Sequence, residues 1–163
     1  MAVDMFLNID NKKVKGESRD KSHADEIEVL AWSWGMSQSG TTHMGSGGGA
    51  GKVNVQDISF THYIDKSSCD LMKACCNGTH FAKAVLTVRK AGGTPLEYVI
   101  ITIEEVLVTS VSTGGSGGED RLTENVTLNF AKVKVQYQPQ SATGAKEGGV
   151  LEVGWNIPEN VPF

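Results

Sequence analysis

Apolar and polar residues alternate along most of this chain, the pattern of half-buried strands, and one stretch departs from it. VDMFLNI sets Val3, Met5, Leu7 and Ile9 on one face. EIEVLAWSWGM sets Leu30, Trp32, Trp34 and Met36 on one face, with Ile27, Val29 and Ala31 opposite. KVNVQDISFTHYI alternates through Val53 and Val55 and then changes parity to Ile58 and Phe60, which predicts a β-bulge near Asp57. LEYVIITIEEVLVTSV (residues 96–111) and NVTLNFAKVKVQYQ (residues 125–138) flank the glycine-rich STGGSGGEDR and read as a long antiparallel hairpin. The second arm changes parity between Phe130 and Val133, so another bulge is predicted near Ala131. Long bulged strands curl a sheet toward a barrel.

The departure is DKSSCDLMKACCNGTH. It offers Ser67 as N-cap, Asp70 in the first turn, Leu71 with Cys75 and Met72 with Cys76 one turn apart, and an Asn-Gly stop. The whole pattern predicts one mainly β domain over residues 1–163. The strands suit a small barrel or sandwich, with one short flanking helix at about residues 67–77 and long glycine-rich loops. The first hairpin arm is apolar on both faces: Leu96, Tyr98, Ile100, Val106 and Val108 on one, Val99, Ile101, Ile103, Leu107 and Val111 on the other. A barrel buries one face of its wall, and a single short helix cannot cover the other. Self-association is the expected consequence.

Composition narrows the partners. With 15 basic residues against 19 acidic ones, the chain has no excess positive charge to neutralise phosphates, so nucleic acid is not an expected partner. No apolar run approaches membrane-spanning length, and MAVDMFLNID lacks a basic stretch leading into an apolar one. The expectation is a chain that folds in the cytoplasm, does not insert into membranes by itself and has no cleaved signal peptide. Cys69, Cys75 and Cys76 are odd in number and closely spaced, which suits reduced thiols better than a disulfide framework.

Candidate chemistry starts with GTTHMGSGGGAGKVNV, residues 40–55, a glycine-rich loop ending in lysine. A phosphate-binding loop of the Walker type needs glycine at position 46 and Ser or Thr after the lysine, where this chain has Ser46 and Val53. That loop also opens a helix, whereas Lys52 leads into an alternating strand, and a dinucleotide fingerprint fails on the same ground. His62, Cys69, Cys75, Cys76 and His80 lie close in sequence, yet Cys69 and Cys76 on a helix stand about 10 Å apart along its axis. They read as small apolar residues on a core-facing helix, and a Cys69 nucleophile with His62 or His80 and Asp65 is unsupported by spacing. His23 and His43 fall in polar loops. Glu119 and Asp120 lack the spacing of a calcium loop.

The stretches MAVDMFL, HADEIEVLAWSWGMSQSG, GSGGGAGKVNVQDISFTHYIDKSS, STGGSGGEDRLTENVTLNFAKVKVQYQPQ and GWNIPENV together resemble the Hcp family, the hemolysin-coregulated inner-tube proteins of the bacterial type VI secretion system. The resemblance implies two antiparallel sheets forming a small β-barrel with one short flanking helix, which assembles as a homohexamer, in rings that stack into a hollow tube expelled by a contractile sheath. Partners are then the sheath, spike and baseplate components and small effector proteins carried in the ring lumen. It implies a protein that leaves the cytoplasm on firing, with no enzymatic activity, catalytic residue, cofactor or metal. Carried onto this sequence, the inter-subunit and ring-stacking loop comprises Gly40, Thr41, Thr42, His43, Met44, Gly45, Ser46, Gly47, Gly48, Gly49, Ala50, Gly51 and Lys52. Ring-rim candidates are Gly92, Gly93, Trp155 and Asn156. Thr127, Asn129, Lys132 and Lys134 are candidates to face the lumen, because they lie opposite the apolar residues of their strands. From the residues alone, the alternative is a monomeric β-barrel that binds a hydrophobic small molecule.

Overall fold

A computed structural model describes residues 2–45 and 49–163; Ser46, Gly47 and Gly48 of the candidate loop lie outside the described residues. Its strands are β1 (Val3–Ile9), β2 (Ile27–Glu28), β3 (Ala31–Ser33), β4 (Met36–Ser37), β5 (Asn54–Val55) and β6 (Ile58–Tyr63). After helix α1 (Ser67–Asn77) come β7 (His80–Lys90), β8 (Leu96–Thr113), β9 (Thr123–Asn129), β10 (Lys132–Tyr137), β11 (Leu151–Asn156) and β12 (Val161–Pro162). All pairings are antiparallel, in one ten-stranded sheet and a two-stranded β4–β5 ribbon.

Strand β8 organises the large sheet. One edge pairs with β7, and the other is divided between β10, along Val99–Glu104, and β9, along Leu107–Thr113. The division falls at Glu105, whose φ of 56° is left-handed. Such a residue inside a strand shifts side-chain parity. Ile101 and Ile103 before it and Val106 and Val108 after it are therefore all buried in one core. This corrects the reading of β8 as apolar on both faces, since much of the apparent second face is the same face seen across a kink.

The bulge expected at Ala131 is a complete break between β9 and β10, and Ala131 N–H donates to Glu104 O across from the kink (3.0 Å). The bulge expected at Asp57 is likewise a break, where the chain leaves the β4–β5 ribbon for β6. In β8 the register shifts instead beside Thr109, against β9, and beside Tyr98, against β7. The strand expected over residues 26–36 becomes three short ones. At its corner Val29 N–H donates to Met5 O (2.9 Å) and Leu30 N–H donates to Thr61 O (2.8 Å), so adjacent amides bond to different strands. This segment links β1 to β6 covalently where β2 and β3 do not pair, completing a barrel whose ladder stays interrupted.

The barrel is filled. Ile9, Ile27, Phe60, Leu71, Val126 and Leu128 are at most 2% exposed, and the cavity among Leu7, Phe60, Leu86, Ile103 and their neighbours holds about 10 Å³. That is room for one water at most. Among the described residues this interior cavity is too small for a hydrophobic ligand.

Helix α1 starts and packs differently from the expectation. Its N-cap is Lys66 without a side-chain bond, and the Asp65 carboxylate accepts instead from Ser67 N–H (2.8 Å) and the Ser67 hydroxyl. Gly78, at φ 69°, ends it as predicted, with its N–H donating to Ala74 O (3.0 Å). Leu71 and Ala74 are buried, whereas Cys69 and Cys76 are exposed and Cys75 is half-buried. The cysteines are thus not the buried face of the helix.

Candidate functional site

The glycine-rich segment is an arm. The β4–β5 ribbon forms its base through Met36↔Val55 and Ser37↔Asn54, and a bridge joins Gly40 to Ala50. Thr41 Oγ1 donates to Gly49 O (2.8 Å) and accepts from Gly49 N–H (3.0 Å), while Met44 N–H closes a turn on Thr41 O (3.0 Å). Gly45 takes the left-handed backbone beyond that turn, at φ 83°. Among the described residues, every hydrogen bond of the arm from Gly40 to Lys52 runs within the ribbon itself. Thr42, His43, Met44 and Lys52 are exposed. A hairpin of this kind has no helix N-terminus to offer a phosphate.

Beneath the arm lies an apolar groove of about 320 Å³, lined by Trp34, Met36, Val53 and Val55 on one side and by Val133, Val135, Val153 and Trp155 on the other. Trp34 Nε1 donates to Gln56 O (2.9 Å), which holds its indole against the ribbon. Trp155 Nε1 is buried and has no acceptor among the described residues. The register Val133↔Trp155, Val135↔Val153, Tyr137↔Leu151 continues one apolar face along β10 and β11, past the barrel. There Tyr137, Leu151 and Val153 are exposed by 43, 63 and 60%. This wing escaped the sequence reading, although the alternation of Leu151, Val153 and Trp155 was available to reveal it.

The four lumen candidates divide into two settings. Thr127 and Asn129 stand on a mainly hydroxyl surface that includes the Asp57 carboxylate: the register aligns Ser33, Ser59, Thr127 and Ser110 across four strands, with Thr61, Asn125 and Ser112 beside them. Thr127 Oγ1 is 2.7 Å from both Thr109 Oγ1 and Ser110 Oγ, and Asn129 donates to Asp57 (2.9 Å). Lys132 pairs in register with Glu104, and Lys134 lies 3.7 Å from Glu152. Both pairs point away from the core, but the break at Phe130–Ala131 sets one in a hydroxyl surface and the other in a charged strip.

The rim candidates are not brought together. Gly92 and Gly93 occupy the exposed β7–β8 turn, whereas Trp155 and Asn156 sit at the other end of the β10–β11 ladder. Trp155 belongs to the groove, and Asn156 is buried, with Oδ1 accepting from Glu159 N–H (3.1 Å). Asn156 is a turn cap in this chain.

Two polar clusters that sequence reasoning missed tie loops to the barrel. His62 and Glu124 are both wholly buried, with Nε2 and Oε1 2.7 Å apart, and His62 Nδ1 lies 3.7 Å from Asp65. Burial alone would raise the Asp65 carboxyl, but the nearby His62 imidazole and the hydrogen bonds from Ser67 outweigh it and hold Asp65 below the usual carboxylate range. His62 therefore serves carboxylates rather than a cysteine. His23, expected in a solvated loop, is buried, stacks on Phe6 and bridges Glu26 (2.8 Å) and Glu97 (2.7 Å). Arg89 lies over the same Phe6 ring and bonds Asp20 and Asp4, and its hydrogen bond holds Asp20 well below the carboxylate range.

These features describe an exposed apolar wing and an extended arm on a filled barrel, and sequence comparison decides the family. Residues 6–137 match the profile described as type VI secretion system effector, Hcp. The chain belongs to the Hcp family. It is 71% identical to Protein hcp1 of Pseudomonas aeruginosa over 162 residues, covering 99% of each. Among solved structures, Hcp1 from Salmonella typhimurium matches with a TM-score of 0.81 at 40% identity, over the full length of both chains. A type six secretion system protein matches with a TM-score of 0.92 at 30% identity, covering 99% of this chain and all of that one. The Hcp fold therefore extends over the described length of the chain.

Proposed function

We propose that this Hcp chain is the subunit of a hollow type VI secretion tube. Six copies form a ring, rings stack, and the sheath, spike and baseplate of the apparatus drive the stack out of the cytoplasm, with small effector proteins carried in its lumen. The chain acts as wall and carrier, not as an enzyme. The observation that carries this reading is the wing: an apolar sheet face extends beyond the core that would bury it, beside an arm whose described residues hydrogen-bond only within the ribbon.

Within this scheme the arm from Gly40 to Lys52 contacts neighbouring subunits and rings, and the turn at Gly92 and Gly93 meets the next ring. Thr127 and Asn129 fit a lumen wall better than Lys132 and Lys134, since a mainly hydroxyl surface discriminates less among passengers than a strip of paired charges. Negative-stain electron microscopy of the purified protein tests the scheme. Six-fold rings with an open centre are expected, and a persistent monomer at micromolar concentration would sink it. The groove of about 320 Å³ supports a second reading, a monomer that holds a hydrophobic small molecule at its surface, which predicts thermal stabilisation by such a compound.

A further inference from the structure

Met44 is 70% exposed, more than any other large apolar side chain described. The turn on Thr41 presents it at the far end of the arm, away from the groove at the arm's own base. One chain thus carries an uncovered apolar knob and, separately, an unfilled apolar socket.

We propose that Met44 of one copy docks in the groove between Trp34 and Trp155 of a neighbouring copy. This rests on the self-associating reading above and specifies the contact. Size permits it, because a groove of about 320 Å³ accepts a methionine side chain together with part of its backbone. Chemistry favours it, because a flexible thioether packs well against indole rings, and two of them line the socket. Charge does not oppose it, because the groove-lining residues are uncharged and the arm between Gly40 and Ala50 has no Lys, Arg, Asp or Glu.

Phe163 is not a competing occupant. The C-terminal strand β12 already holds it against Gly154 on β11. A knob and a socket at different places on one chain make a head-to-tail contact, the kind that closes into a ring or continues as a filament. Docking also explains how a glycine-rich arm is ordered, since such a segment loses much freedom on fixing and needs a partner surface to hold it. The exposed Leu151, Val153 and Met36 around the socket enlarge the buried contact.

The test uses full-length protein with Cys69, Cys75 and Cys76 replaced by serine. One co-expressed, differently tagged population carries Met44→Cys and the other Val153→Cys. Oxidation should give disulfide-linked pairs containing both tags. A Lys73→Cys partner on the exposed side of α1 should give few. Separately, Met44→Ser should weaken association by roughly ten- to a hundred-fold on dilution, the cost of losing one buried apolar side chain, without lowering the melting temperature of the monomer. Assemblies that form normally with Met44→Ser, and crosslink no better through Val153→Cys than through Lys73→Cys, would overturn the docking contact while leaving the ring reading intact. A protein monomeric at all concentrations would remove both. A monomer stabilised by a hydrophobic compound, but not when Trp155→Ala is present, would reassign the socket to a small ligand.

Discussion

One face of the β10–β11 ladder is buried at one end and open at the other. Val133, opposite Ile103 and Trp155, is 4% exposed; Tyr137, four residues along the same face, is 43% exposed, and its partner Leu151 is 63% exposed. The alternation of side chains is the same at both ends. What differs is the layer above. Val133 continues the cross-strand row Ile9, Ala84 and Ile103 into the shared core, and Val135 still packs against that core, whereas Tyr137 lies beyond the residues that pack on it. Period-two patterning selects a face, and only the path of the other strands determines whether anything of the same chain covers it.

Mutations should separate the two ends. The largest effect belongs to the barrel. Phe60→Ala, at a site 2% exposed, should cost about 3–5 kcal/mol in urea unfolding and abolish assembly with the fold. Glu124→Leu should cost nearly as much, about 3 kcal/mol, because it leaves His62 buried beside a single distant carboxylate. A loss below about 1 kcal/mol would show that the pair is not needed to hold β6 against β9.

Acid should act on the barrel as well. Asp65 is held below its ordinary value in the folded chain, so its contribution is fully present above its unfolded pKa, near 4, and is lost as pH falls through the folded value. Stability should therefore fall from pH 5 downward, and Asp65→Asn should flatten that decline. A decline of unchanged slope would mean that other groups carry it.

The kink offers a smaller test. Glu105→Gly should stabilise by about 0.5–1 kcal/mol by relieving the left-handed backbone, whereas Glu105→Val should destabilise by about 1–2 kcal/mol. Equal effects from both would remove the strain argument. Smallest for the fold are changes at the open end: Val153→Ser and removal of residues 44–51 should each shift monomer stability by no more than about 0.5 kcal/mol while weakening ring stacking and secretion. Unfolding on removal of the arm would make it part of the core.

The alternation in residues 96–138 sufficed to recognise the hairpin, its glycine tip and the strands that hold Ile103, Val106, Val126 and Leu128, and Gly78 marked the end of the helix. The long stretches shared with the Hcp family were equally plain. Parity alone could not show that Glu105 turns left-handed, because nothing in a Glu-Glu pair indicates which residue absorbs a bend imposed by β7, β9 and β10. Nor could it show His62 against Glu124, which are 62 positions apart and meet only because β6 pairs with β9. Local spacing encodes which faces are apolar, since that depends on neighbours one or two residues away. Which of those faces meet, which buried charges find partners and which apolar strip is left for another molecule depend on contacts between distant segments, and those exist only once the barrel has closed around its core.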